Sequence, residues 1–101
     1  MGDLEVLPRS YTATRAGRPL RLTTAEFVLL RVLAERAGQV LSREQLLDLT
    51  KGNADEVFDR SIDAHISRLR QKLGDDPRQP QLLRTVRGAG YLLEANGGAQ
   101  P

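Results

Sequence analysis

The stretch Asp59-Arg60-Ser61-Ile62-Asp63-Ala64-His65-Ile66-Ser67-Arg68-Leu69-Arg70-Gln71-Lys72-Leu73-Gly74 carries its apolar residues at helical spacing. At about 100° per residue, Phe58, Ile62, Ile66, Leu69 and Leu73 fall within about 40° of one direction, a narrow stripe that must face a core. The opposite side holds Arg60, Ala64, Ser67, Arg68 and Gln71, with Asp63 and Arg70 flanking it. That face is small and polar at its centre and lined with arginine. His65, the single histidine, falls at the margin of the stripe, where a packed ring is expected rather than a ligand. Gly74 supplies a left-handed stop.

Upstream, two shorter helices announce themselves by their caps. Thr23-Thr24-Ala25-Glu26 is a capping box, in which Thr23 accepts from the Glu26 amide and Glu26 reaches back to the Thr23 amide. Phe27, Leu30, Leu33 and Ala34 then form one face, and Gly38 ends the helix. Ser42-Arg43-Glu44-Gln45 is a second capping box, opening a short helix with Leu46, Leu47 and Leu49 that ends near Lys51-Gly52. Val40-Leu41 between them has room for an isolated bridge at most. Residues 53–57 read as an acidic loop. Before the first helix, Leu4 to Leu7, Ser10 to Thr14 and Pro19 to Leu22 read as an antiparallel meander with a turn at Ala16-Gly17. After the long helix, Leu82 to Arg87 and Tyr91 to Leu93 read as a hairpin turning at Gly88-Ala89-Gly90. One domain over residues 1–94 is expected, followed by a Gly/Ala/Gln-rich tail over 95–101.

Composition narrows the chemistry. With no cysteine and one histidine in 101 residues, the chain offers no disulfide, thiolate nucleophile, multi-histidine metal site or histidine relay. No carboxylates cluster as an acid–base pair would, so neither an enzyme nor a cofactor is expected. The longest apolar run is Phe27 to Leu30, far below the roughly 20 residues of a membrane span, and no secretory signal is visible, so a cytoplasmic location is expected. The net charge of +2 hides an uneven distribution: residues 1–59 hold 8 basic and 9 acidic side chains (−1), residues 60–87 hold 7 and 3 (+4), and residues 88–101 hold only Glu94 (−1). The positive segment is the long helix and the hairpin.

Three helices followed by a hairpin make an α+β winged helix-turn-helix, with an N-terminal antiparallel β-sheet and a C-terminal β-hairpin wing. This layout suits duplex DNA, whose major groove, about 12 Å wide, admits one helix. Ala64 and Ser67 allow close approach and Arg68 can fork onto a guanine edge, while Arg60, Arg70 and Lys72 are placed for phosphates. Arg87, near the wing tip, can enter a narrow, electronegative minor groove. A winged helix that binds only protein is the competing class; a steep loss of DNA binding with salt would separate the two.

The chain resembles the DNA-binding effector domain of OmpR/PhoB-type two-component response regulators. The strings that carry the resemblance are Leu22-Thr23-Thr24-Ala25-Glu26-Phe27, Val40-Leu41-Ser42-Arg43-Glu44-Gln45-Leu46, Asp59 to Arg70, and Arg84-Thr85-Val86-Arg87-Gly88-Ala89-Gly90-Tyr91. The resemblance implies a transcription regulator whose third helix reads sequence. Its expected DNA-contacting set is Arg60, Ser61, Asp63, Ala64, Ser67, Arg68, Arg70, Gln71, Arg84, Thr85, Arg87 and Gly88. It also implies an RNA polymerase contact in the loop before that helix, at Lys51, Asn53, Asp55 and Glu56. It implies head-to-tail pairing of monomers on direct-repeat sites and control by an N-terminal receiver domain, from which this chain is expected to have been separated. Ala64 stands where the family often has valine, and Leu49-Thr50-Lys51-Gly52 lacks the tryptophan of many members, which resembles the OmpR-like branch.

Overall fold

A computed structural model describes residues 4–50, 62–75 and 82–94. Strands β1 (Leu4–Leu7), β2 (Thr12–Arg15) and β3 (Arg18–Pro19) form a three-stranded antiparallel sheet in that order. Helices α1 (Thr24–Glu35), α2 (Arg43–Thr50) and α3 (Ile62–Leu73) follow, and β4 (Leu83–Val86) pairs with β5 (Gly90–Leu93) as a C-terminal hairpin. This is the winged helix-turn-helix with an N-terminal sheet that the sequence implies. The acidic loop, the second-helix terminus at Lys51-Gly52 and the tail lie outside the described residues.

The meander is shorter than the strand-rich sequence indicates. Pro8–Ser10 forms a single 3-10 turn, and Tyr11 takes a left-handed φ of 54°, so β2 begins only at Thr12. Proline fixes φ near −65°, a value that suits a tight helical turn. The deviation brings the Tyr11 ring to 4.9 Å from that of Phe27, laying this end of the sheet over α1. The third strand is two residues long instead of running to Leu22. Pro19 has no N–H for a ladder, and beyond it only the Leu20 amide still reaches Ala13 O, at 2.8 Å.

Helix α1 is the centre of the molecule. Both arms of its capping box are formed, Glu26 N to Thr23 Oγ1 at 3.2 Å and Thr23 N to Glu26 Oε1 at 2.9 Å. Burial extends beyond the expected face of Phe27, Leu30 and Leu33 to Val28, Leu29 and Val32, because α2 and α3 pack on a helix that also meets the hairpin and the Tyr11 ring. A helix apolar on most sides is one that is covered on most sides. On α3 the stripe Ile62, Ile66, Leu69 and Leu73 is buried as its spacing requires, and His65 is 8% exposed at its edge.

Backbone and carboxylate hydrogen bonds fasten the hairpin to the helical part. Leu41 and Tyr91 exchange both backbone hydrogen bonds at 2.8 Å, forming an isolated antiparallel bridge. The bridge requires Gly90: a β-carbon there would lie 2.0 Å from Leu41 O. Gly38 N donates to Leu93 O at 2.8 Å. The buried Asp75 carboxylate accepts from the amides of Leu82 and Leu83, the latter at 2.8 Å, so the residue that follows the α3 stop also anchors the start of β4.

Candidate nucleic-acid interface

The solvent face of α3 is built as its spacing indicates. Asp63, Ala64, Ser67, Arg68 and Gln71 are exposed, and Arg70 is half-buried on the side toward the hairpin. At the hairpin tip the Ala89 amide donates to Val86 O at 2.9 Å, closing a turn in which Gly88 takes φ 74°. A positive φ at that position is what glycine permits, and it leaves the neighbouring Arg87 exposed at the tip. A cleft runs between the start of α2 and the hairpin, lined by Ser42, Arg43 and Glu44 on one side and by Thr85, Gly88 and Tyr91 on the other.

The expected contact residues separate into two groups. Ala64, Ser67, Arg68, Gln71 and Arg87 present their side chains outward, and among the described residues neither Arg68 nor Arg87 has a hydrogen-bond or ion-pair partner. The second group is bonded within the protein. Arg70 Nε donates to Leu83 O at 2.9 Å and its Nη2 to Thr85 Oγ1 at 2.6 Å, with the guanidinium 5.8 Å from the centre of the Tyr91 ring. Arg70 does not pair with Asp63, which accepts instead from Arg43 Nε at 2.8 Å and from the Tyr91 hydroxyl, both at Oδ1. Arg84 donates to Glu94 at 2.6 Å across the hairpin. Lys72, expected toward phosphate, is ion-paired with the buried Glu26 at 2.6 Å. Arg60 and Ser61 lie outside the described residues, as do Lys51, Asn53, Asp55 and Glu56.

Electrostatics follows this bonding. The hydrogen bonds from Arg43 and Tyr91 hold the Asp63 carboxyl below its ordinary value, so it stays ionised at neutral pH. Burial, then the hydrogen bond to Asp63, pushes the Tyr91 hydroxyl up, which keeps it a donor. Burial alone would raise the Glu26 carboxyl, but bonds from Lys72 and Thr23 bring it below the usual range. Arg43, Asp75 and Tyr91 were not among the expected contact residues. Tyr91 is buried in the core as a support of the wing, and nothing local in the sequence marks Arg43 or Asp75. No group of three or more metal-ligating side chains occurs among the described residues, and no described helix is long and apolar enough to cross a membrane.

Comparison with known proteins agrees with this geometry. The family described as "Transcriptional regulatory protein, C terminal" matches residues 17–93. The regulatory protein VirG of Agrobacterium tumefaciens (strain 15955) is 51% identical over 83 residues, 82% of this chain but 31% of VirG, so the chain spans about a third of that relative's length. The crystal structure of the Klebsiella pneumoniae RstA DNA-binding domain in complex with the RstA box is similar with a TM-score of 0.82 and 40% identity, covering 93% of each chain. The Thermotoga maritima response regulator DrrB, an OmpR/PhoB homologue, is similar with a TM-score of 0.79 and 36% identity, covering 93% of this chain and 42% of DrrB. With the family match running from the first hairpin turn to the end of the wing, the chain belongs to the OmpR/PhoB family of transcriptional regulatory C-terminal domains.

Proposed function

We propose that the chain is the effector domain of a two-component response regulator and recognises a specific double-stranded DNA sequence. One observation carries the reading: Ala64, Ser67, Arg68 and Gln71 form an outward face of α3, and neither its arginine nor the exposed Arg87 at the wing tip has a partner among the described residues. α3 enters the major groove, where small residues let the backbone approach and Arg68 forks onto guanine O6 and N7. Arg87 enters the adjoining minor groove. Arg60, Ser61, Arg84, Thr85 and Gly88 complete the contact set along the phosphates. Asp63, Arg70, Arg84 and Thr85 reach DNA only with the atoms left over from their internal bonds. The RstA domain bound to its box supports this docking by analogy.

In the whole regulator a receiver domain precedes this one, and two copies sit head to tail on a direct repeat. The segment with Lys51, Asn53, Asp55 and Glu56 meets RNA polymerase. The folded unit covers residues 1–94, residues 95–101 form a tail, no cofactor is needed, and the protein acts in the cytoplasm. Selection from a pool of random duplexes tests the reading. A direct-repeat motif should emerge, and its affinity should fall with salt at about −0.9 in log–log slope per phosphate contacted. Recovery of unenriched sequence, or binding insensitive to salt, would overturn it.

A further inference from the structure

Asp63 Oδ1 is a meeting point for three elements. It belongs to the first described turn of α3 and accepts from Arg43 Nε at the start of α2 and from the Tyr91 hydroxyl on β5. Tyr91 is 6% exposed, and two guanidinium groups lie over its ring, that of Arg43 at 5.9 Å and that of Arg70 at 5.8 Å from its centre. Arg70 closes the circuit from α3 to β4 through Leu83 O and Thr85 Oγ1. The tyrosine therefore joins α2, α3 and both hairpin strands through one hydroxyl and one ring.

Building on the proposed DNA reading, we infer that Tyr91, Arg43 and Asp63 are positioning residues that hold recognition helix and wing as a single reading head, so that their loss lowers discrimination between sequences rather than general affinity for DNA. The physical reason is lever geometry. Arg68 and Arg87 must meet two different grooves at once, and a bidentate arginine–guanine pair tolerates little rotation. Without the Asp63 bonds the hairpin stays attached through Arg70, Asp75 and the Leu41 bridge, and keeps its phosphate contacts, but the middle of β5 loses its direct side-chain bond to α3 and with it the orientation that places both side chains together. The Asp63 hub supplies directional bonds between the helix and the hairpin. A charge-assisted hydrogen bond is the strong kind, and both donors converge on an ionised oxygen.

The variant Tyr91→Phe removes the hydroxyl and keeps the packed ring. Affinity for a selected site and for random duplex is compared across a salt series, alongside residual dipolar couplings of the free protein that report the angle between the hairpin and α3. The expected result is a loss of roughly tenfold in the ratio of selected-site to random affinity, an unchanged salt slope on random duplex, and an altered hairpin angle. Equal weakening on both duplexes, or undiminished discrimination, would overturn the inference. An unchanged hairpin angle would overturn it whatever the DNA result. Failure of the wild-type protein to bind any duplex would count against the proposed function instead, and the dipolar couplings would still decide the positioning role.

Discussion

Lys72 Nζ in the last turn of α3 lies 2.6 Å from Glu26 Oε1 in the first turn of α1, and the same oxygen accepts from the Thr23 amide at 2.9 Å. One buried carboxylate thereby completes a helix cap and ties α3 to the central helix. The lysine that the helical wheel turns toward DNA is engaged in holding the scaffold.

Truncating that lysine should cost more than a surface ion pair. Lys72→Ala leaves Glu26, itself 2% exposed, as a buried carboxylate with only its cap bonds. Removing one partner of a fully buried pair costs about 3–5 kcal/mol, and because the lysine is partly solvated the expected loss here is about 1–3 kcal/mol. Urea denaturation checks it, and a loss below about 0.5 kcal/mol would mean that solvent replaces the lysine.

Acid should weaken the same link. The Glu26 carboxyl is lowered in the folded state: burial alone would raise it, but the Lys72 and Thr23 bonds outweigh burial. A lowered carboxylate contributes stability that is complete above its unfolded value of 4.5 and is lost as pH falls through the folded value. Asp63, lowered by Arg43 and Tyr91, acts in the same direction but is largely exposed. Stability should therefore fall as pH drops below about 4.5, and Glu26→Gln should show a shallower fall over that window. Thermal melts of both proteins from pH 7 to pH 3 make the comparison.

The first hairpin carries a correctable defect. Ala16 and Gly17, between the paired Arg15 and Arg18, have φ of 53° and 79°, the pattern of a type I′ turn. Alanine is disfavoured in the left-handed region by about 1–2 kcal/mol, whereas asparagine enters it readily. Ala16→Asn should stabilise the domain by about 0.5–1 kcal/mol, raising Tm by a few degrees. A Tm unchanged or lowered would mean that the turn is remodelled.

Two wing glycines should respond very differently. A β-carbon at Gly90 would lie 2.0 Å from Leu41 O and 2.8 Å from Ser42 Cα, with φ at 146°, whereas one at Gly88 meets nothing within 4 Å. Gly90→Ala must separate β5 from Leu41 and should cost about 3 kcal/mol or more. Gly88→Ala carries only the left-handed penalty, about 1 kcal/mol. Hydrogen exchange at the Leu41 and Tyr91 amides should accelerate in the first variant and not in the second.

What was legible in the sequence was what is local in the chain. Both capping boxes form as their spacing requires, with Ser42 and Gln45 exchanging bonds at 2.8 and 3.0 Å, and the α3 stripe is the buried one. A cap or stripe is decided within a few residues, so spacing suffices. Asp63 is bonded by Arg43, 20 residues back on α2, and by Tyr91, 28 residues on, and Tyr91 and the partners of Arg70 sit on a hairpin whose placement depends on Leu41, Asp75 and Gly90. A helical wheel gives the direction of a side chain but not what waits there. It placed Lys72 and Arg70 for phosphates, whereas both are bonded within the protein. The left-handed Tyr11 escaped for a similar reason: Ser10 to Thr14 has strand propensity, but the backbone follows the stacking of the ring on Phe27.

Three arginines separate scaffold from recognition. Arg68 and Arg87 have no hydrogen-bond or ion-pair partner among the described residues, so their removal should leave Tm within about 1 °C of wild type. On a selected duplex, Arg68→Ala should lose about 1–3 kcal/mol and relax base preference at one position. Arg87→Ala should weaken binding most where the flanking minor groove is narrow. Arg70→Ala should behave otherwise, because it removes two hydrogen bonds to β4 and a cation over Tyr91. It should lower Tm by several degrees and reduce selected-site affinity, while the salt slope on random duplex stays near that of wild type. A slope reduced by about one unit with Tm unchanged would instead make Arg70 a phosphate ligand in the complex. Such a contact would use the guanidinium N–H groups left over from the bonds to Leu83 O and Thr85, so melting curves and salt titrations must be measured on the same variant.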